Sequence, residues 1–274
     1  MGRRDFDLSG TRALVTGAGS GIGRAIALEL ARKGSHVLAV DQHGETAEKT
    51  ALACSEIGPE ARDLTCDVTD SEAVRDLAGR VEADHGGIDV LVNNAGVGMT
   101  GHFVDMSIDD WRWIRAVNLD GVVHCCHAFG PGLLARGRAQ VVNVASALAY
   151  TPRSTEVAYV TTKAAVLAFS QCLRADWAAS GVGVTAACPG VINTPILEST
   201  RFVNADDEEA EDVAERAAKL FAVGHSPELV ARDVVMAIRV DKAVVLSGFE
   251  ARMGWYGHRL LPVRAQQRIA RRRV

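Results

Sequence analysis

Ser146, Tyr159 and Lys163 are the residues in this chain best suited to moving a proton, and they lie within one short stretch. Tyr159 and Lys163 are four residues apart, so on a helix they share a face. A free phenol has a pKa near ~10 and is a poor base at neutral pH. A cation held beside it stabilises the phenolate and lowers that value. The pair therefore suits general acid/base catalysis. Ser146 closes the apolar run that starts at Gln140, and its hydroxyl could hold the oxygen that Tyr159 protonates or deprotonates. Taken alone the pair is weak, because a Tyr and a Lys four apart also arise by chance on solvated helices.

The elements that must position these groups begin upstream. Residues 12–16 read as a short buried strand, followed by Gly17-Ala-Gly-Ser-Gly-Ile-Gly23 and an amphipathic helix to about Lys33. Strand, glycine turn and helix in that order make a phosphate-binding unit. Glycines let the backbone approach a pyrophosphate, and the helix N-terminus offers free N–H groups and a positive dipole end. The next strand, 35–40, ends in Asp41. An acid at that distance suits the hydroxyls of an adenosine ribose and repels a 2′-phosphate. No Arg or Lys follows at Gln42 or His43, which favours NAD over NADP. Asp41 could equally cap the following helix.

The pattern repeats along the chain. Residues 62–66 form a weak strand ending in Asp67 and Val68, and 70–86 a helix with Asp70 as N-cap and Gly86-Gly87 as its stop. Residues 88–92 form an apolar strand followed by Asn93-Asn-Ala-Gly96. Residues 98–106 read as a loop, and Ser107 with Asp110 as a capping box opening a long helix that carries Asn118. Strands at 140–145, 182–188 and 243–247 and a helix over 156–180 complete the reading. Alternating strands and helices predict one α/β domain, a doubly wound parallel sheet with helices on both faces.

The chain has 274 residues, 48% of them hydrophobic, and a net charge of −4. That gives core enough for one large domain and no overall field for nucleic acid. No apolar run approaches the ~20 residues of a membrane span, and the first residues carry no apolar signal segment. The six cysteines form no C-x-x-C pair. They read as reduced, mostly buried thiols, and the expected setting is cytoplasmic.

Over residues 7–248 the chain resembles the short-chain dehydrogenase/reductases, and in particular actinobacterial members, including the dehydrogenase module fused to epoxide hydrolases. The resemblance rests on Thr16 through Gly23, Asp67-Val68, Asn93 through Gly96, Asn118, Ser146, Tyr159 through Lys163, and Pro189 through Thr194, in the family's order and spacing. It implies a seven-stranded Rossmann-like sheet and an NAD-dependent exchange between a secondary alcohol and a ketone. It also implies a catalytic tetrad. Tyr159 exchanges the proton, Ser146 bonds the reacting oxygen, Lys163 holds the ribose and lowers the Tyr pKa, and Asn118 holds a relay water. By the same resemblance Gly17, Gly19, Ser20, Gly21, Ile22 and Gly23 line the pyrophosphate. Asp41 takes the adenosine ribose, Asp67 and Val68 the adenine, and Asn94, Ala95 and Gly96 the adenosine side. Pro189, Gly190, Ile192 and Thr194 lie toward the nicotinamide. A dimer or tetramer is implied too.

Other features are weighed on their residues. His124-Cys-Cys-His127 looks like a metal cluster, but on a helix the two cysteines point away from the histidines, and no metal is expected. Residues 195–225, with an acidic run from Asp206 to Glu215, read as a solvated helix face, while the resemblance makes the same segment a substrate lid. Its apolar members, with Met99, Phe103, Leu148 and Tyr150 opposite, would suit a bulky apolar alcohol or ketone. Residues 251–274 hold seven Arg and no acid, and read as a separate basic tail making a surface or subunit contact rather than a membrane anchor. The competing functions are a non-catalytic NAD(H)-binding sensor or scaffold and a related chemistry such as epimerisation.

Overall fold

The computed structural model describes residues 5–203 and 207–271, with the backbone alone for 207–210. Residues 1–4, Asp206 of the acidic run, and Arg272 to Val274 of the tail lie outside the described residues.

The elements in order are β1 Arg12–Thr16, α1 Gly21–Arg32, β2 His36–Asp41, α2 Gly44–Ser55, β3 Arg62–Thr65, α3 Ser71–His85, β4 Val90–Asn93, β5 Gly98–Gly101, α4 Ile108–Arg115, α5 Gly121–Arg136, β6 Ala139–Val144, α6 Val157–Asp176, β7 Val182–Pro189, β8 Thr200–Val203, α7 Asp207–Ala222, α8 Pro227–Arg239, β9 Val244–Ser247, α9 Phe249–Leu260 and α10 Val263–Ala270. Seven strands form one parallel sheet in the order β3-β2-β1-β4-β6-β7-β9. β4, β6 and β7 are buried along their whole length, as parallel strands covered on both faces require. One apolar layer joins the sheet to α1, α2 and α8 through Ile26, Leu30, Cys54, Val234 and Ile238. The other joins it to α3, α5 and α6 through Leu77, Val81, Cys125, Leu133 and Val166.

Local chemistry sets several boundaries. Asp70 caps α3 by accepting from the backbone N–H groups of Glu72 and Ala73, and Gly86 ends it in the left-handed region at φ 69°. Ser107 and Asp110 make the reciprocal capping box that opens α4. The predicted long helix from there is interrupted. Residues Ala116–Asp120 form a π-helical turn between α4 and α5.

Three differences from the sequence reading stand out. Residues 98–106 are more than a loop, because β5 pairs in parallel with β8 as a separate two-stranded sheet. Each strand has only four residues, too few for a period to show. Asp41 does not cap α2, whose N-cap is His43. The residues after 250 are not set apart from the domain. α9 starts at Phe249, buries Ala251, and stacks Trp255 edge-on against Tyr150 at 5.0 Å between ring centres. Ser154 N–H donates to the carbonyl of Ala270 in α10. The described part of the acidic run behaves as a solvated face. Glu211, Asp212 and Glu215 are exposed, and the last two pair with Arg216 and Lys219.

Candidate active site

The strand order reverses at β1 and β4. The chain runs from β1 outward to β2 and β3, then returns to place β4 on the other side of β1. Loops leaving these two strands diverge and open a crevice at their carboxyl ends, which is where ligands of open α/β sheets bind. The glycine turn follows β1, and Asn94-Ala95-Gly96 follows β4. Thr16 joins them: its hydroxyl oxygen accepts from the backbone N–H groups of Asn94 and Ala95 at 3.0 and 3.1 Å. The Asn94 side chain donates to the carbonyls of Thr16 and Gly17. Asn94 is therefore a tie between the two loops.

This crevice fits a dinucleotide pyrophosphate. A Cβ at Gly23 would lie 2.1 Å from the Gly17 carbonyl oxygen, and one at Gly19 would lie 2.3 Å from Thr46 Oγ1. Only glycine lets the turn fold this closely. Ser20 does not cap α1 with its side chain, and no acid sits in the first turn of that helix. No side-chain cap or first-turn acid therefore occupies its N-terminal N–H groups. Thr194 approaches the same turn, 3.2 Å from where a Gly21 Cβ would stand. Asp41 closes the far side. One carboxylate oxygen accepts from Gly19 N–H at 2.9 Å and the other from His43 N–H at 3.0 Å. Asp67 accepts from both the backbone and the hydroxyl of Thr69. Val68 is buried, and its carbonyl meets His124 Nδ1 at 2.9 Å.

The residues expected to move the proton lie at the exit of β6 and on α6, and Lys163 reaches the space beside Gly96. Ser146 follows β6, and Tyr159 and Lys163 lie on consecutive turns of α6. The Ser146 hydroxyl lies beside the Tyr159 phenol and works to lower its pKa. Lys163 is buried, with Nζ 3.0 Å from the Val144 carbonyl oxygen and 5.8 Å from the centre of the Tyr159 ring. Asn118 is fully buried in the π-helical turn. It accepts from Val97 N–H at 2.8 Å and donates to the Val97 carbonyl at 2.9 Å. A Cβ on Gly96 would stand 3.2 Å from both Asn118 Oδ1 and Lys163 Nζ, so Gly96 leaves the space between them open.

The electrostatics differ from the sequence reading in one respect. A lowered Tyr159 pKa was expected. Burial instead pushes the phenol up to about 12, the Ser146 hydroxyl opposes this, and nearby Glu156 adds to it. Burial pushes Lys163 down to about 8, with Cys188 opposing. Lys163 gives its hydrogen bond to Val144, and its Nζ stands over the ring, so desolvation outweighs its charge.

Some expected residues lie elsewhere. Tyr150, expected on a pocket wall, is buried against α9 with its hydroxyl donating to the Ala251 carbonyl. Phe103 is exposed against Trp111, whereas Met99 stays near the site, buried with Ile114 and Ala158 in a cluster that packs against Tyr159. Trp113 carries the Arg201 guanidinium on its ring at 3.8 Å, and Arg201 also pairs with Asp110. In the suspected metal cluster, Cys125 and Cys126 are buried, and Cys126 packs between Asn93 and Asn143. Among the described residues no three His, Cys, Asp or Glu side chains are grouped to hold a metal. No helix among them is long and apolar enough to cross a membrane.

Sequence reasoning gave Thr16 no role of its own and missed Asn143 and Glu250. Asn143 accepts from Asn93 and donates to Ser170 across the sheet. The available signal was a polar residue inside an apolar strand run. Glu250 gave none.

Comparison with known proteins agrees with this geometry. The family model described as short chain dehydrogenase matches residues 11–204. A relative from Mycobacterium tuberculosis named probable oxidoreductase EphD is 41% identical over 278 aligned positions, which take in all of this chain and 47% of the relative. The chain thus spans about half the length of that relative. A D-threitol dehydrogenase from Mycolicibacterium smegmatis is 40% identical over 192 residues, 70% of this chain and 74% of its own. The crystal structure of a short chain dehydrogenase/reductase from Burkholderia phymatum, in complex with NAD, superposes with a TM-score of 0.84 at 26% identity, covering 98% of each chain. With a family model matched over residues 11–204 and a relative 41% identical along the whole of this chain, the chain belongs to the short-chain dehydrogenase family.

Proposed function

We propose that the protein is an NAD(H)-dependent oxidoreductase interconverting a secondary alcohol and a ketone, with Tyr159 as general acid/base. The observation that carries this reading is Lys163 Nζ standing over the Tyr159 ring, with Ser146 beside the phenol and Asn118 and Lys163 meeting at the space left by Gly96. When bound, the nicotinamide cofactor supplies the carbon that takes or gives the hydride. The chain supplies position and the proton. Residues 17–23 cradle the pyrophosphate at the start of α1, Asp41 takes the adenosine ribose, and Asp67 and Val68 border the adenine. Asn94, Ala95 and Gly96 back the adenosine side, and Pro189, Gly190, Ile192 and Thr194 border the nicotinamide. Ser146 holds the substrate oxygen, Tyr159 protonates or deprotonates it, Lys163 reaches the ribose, and Asn118 opens the route to solvent.

The preference for NAD over NADP is supported by the Asp41 carboxylate at the end of β2 and by the NAD held by the Burkholderia neighbour. Asp41→Ala is expected to cut the ratio of kcat/KM for NAD⁺ over NADP⁺ by about tenfold or more. An unchanged ratio would assign the discrimination to another group.

The reading extends to a homodimer or homotetramer in the cytoplasm acting on a bulky, apolar substrate. Half-buried Ile196, Leu197, Phe202 and Leu220 in the segment after β7 support the apolar substrate. The relative that oxidises D-threitol supports a small polyol instead. NADH formation followed by absorbance, with NAD⁺ and secondary alcohols graded in size and polarity from threitol to sterols, tests both. Turnover with one class selects it. Silence across the panel together with tight NADH binding would favour a non-catalytic NAD(H) sensor or scaffold.

A further inference from the structure

The segment Gly190 to Thr194, assigned above to the nicotinamide side, is held by groups from two later parts of the chain. Gly190 N–H donates to the carbonyl of Ser247 at the end of β9. Val191 and Asn193 exchange backbone hydrogen bonds with His225, which lies between α7 and α8. One side chain joins all three segments. Glu250, in the first turn of α9, accepts from Val191 N–H through Oε1 at 2.7 Å and from His225 Nε2 through Oε2 at 3.1 Å.

The surroundings are shaped for that carboxylate. A Cβ on Gly190 would lie 2.2 Å from Glu250 Oε1. Gly248, at φ +98°, would place a Cβ 3.0 Å from both Glu250 Oε1 and the His225 ring. On the third side, a Cβ on Gly224 would lie 2.9 Å from the Val191 carbonyl oxygen. Three backbone positions thus lack a side chain where one would crowd this junction. The next residue reaches the other half of the site: the Ala251 carbonyl accepts from the hydroxyl of Tyr150, four positions past Ser146.

We propose that Glu250, with His225, is a positioning residue that fixes the Gly190–Thr194 segment against the nicotinamide half of the cofactor, and that α9 links this segment to the Ser146 loop. The inference rests on the functional reading above. Burial works to raise the Glu250 carboxyl, but hydrogen bonds from the Glu250 and Val191 N–H groups and from His225 outweigh it and hold it below the usual carboxylate range. A carboxylate that accepts from a backbone N–H and from a ring N–H at once fixes both donors. A Gln can accept from Val191 and still meet His225, whereas Ala cannot.

The test measures binding of NADH and of ADP-ribose, which lacks the nicotinamide, to the wild type, Glu250→Ala and Glu250→Gln. Glu250→Ala is expected to weaken NADH by about tenfold. ADP-ribose should stay within about twofold of wild type, and Glu250→Gln should recover most of the NADH affinity. Hydrogen exchange of the peptide covering 189–195 should quicken in Glu250→Ala, with protection of β1 and β4 retained. Loss of both ligands in parallel would reduce Glu250 to general structural support and overturn the proposal, as would unchanged NADH affinity. A wild type that binds neither ligand would refute the functional reading instead. Exchange at 189–195 then decides whether Glu250 fixes the segment, with an unchanged rate counting against it.

Discussion

Tyr159→Phe is expected to lower turnover by about 10²–10⁴-fold, the range for a lost general acid or base, with NADH affinity nearly intact. The variant keeps the ring, which packs against the cluster of Met99, Ile114 and Ala158, and removes only the phenol oxygen. The packing of the ring is kept, so thermal unfolding should be close to wild type. The two directions should differ with pH. A phenol held at about 12 is protonated near neutrality, so ketone reduction finds its acid ready. Alcohol oxidation starts from the phenolate, whose fraction rises about tenfold per pH unit below that pKa. Oxidation should therefore climb with pH and flatten as Lys163, at about 8, loses its charge. Initial rates in both directions across pH check this. Wild-type turnover in Tyr159→Phe, or an oxidation rate flat from acid to alkaline pH, would remove Tyr159 from the role.

The features legible in the sequence are those that local rules fix. The glycine turn, Asp41 past the second strand, the Asp70 cap and the Ser107–Asp110 box each depend on neighbours a few residues away. The spacing of Tyr159 and Lys163 could be read for the same reason, because one helix sets their common face. The features that escaped depend on distant partners. β5 becomes a strand only because Thr200–Val203 lies beside it. The π-helical turn at Asn118 accompanies two hydrogen bonds to Val97, and no residue type announces it. Tyr150 turns away from the pocket because α9 returns to cover it. Glu250 carries no signal in the sequence, since Val191 and His225 are far from it in the chain. The reversed shift at Tyr159 has a related origin: proximity to Lys163 could be read from spacing, but the burial that outweighs it could not.

Lys163→Met should separate function from stability. Turnover is expected to fall by about 10²-fold or more, because both the charge beside Tyr159 and the proposed ribose contact go. The folded protein should nevertheless become more stable near neutral pH. Burial lowers the Lys163 pKa from 10.5 to about 8, so the folded state binds fewer protons than the unfolded chain between those values. Unfolding then takes up a proton, and wild-type stability rises with pH across that window. Below about pH 8 the full cost of burying the ammonium is present, on the order of 3–4 kcal/mol at about 1.4 kcal/mol per unit. Met removes that cost, fills similar volume, and gives up one hydrogen bond to the Val144 carbonyl, which offsets about 1 kcal/mol. The net gain corresponds to a Tm higher by several degrees, at roughly 2–4 °C per kcal/mol. The gain should shrink as pH rises toward 10, because the wild type recovers its own stability there while the variant has nothing to titrate at that position. Unfolding curves for the two proteins at neutral and alkaline pH measure it. A variant destabilised by the same margin at both would mean that Lys163 is held by packing and the Val144 contact, and that its buried charge carries no cost.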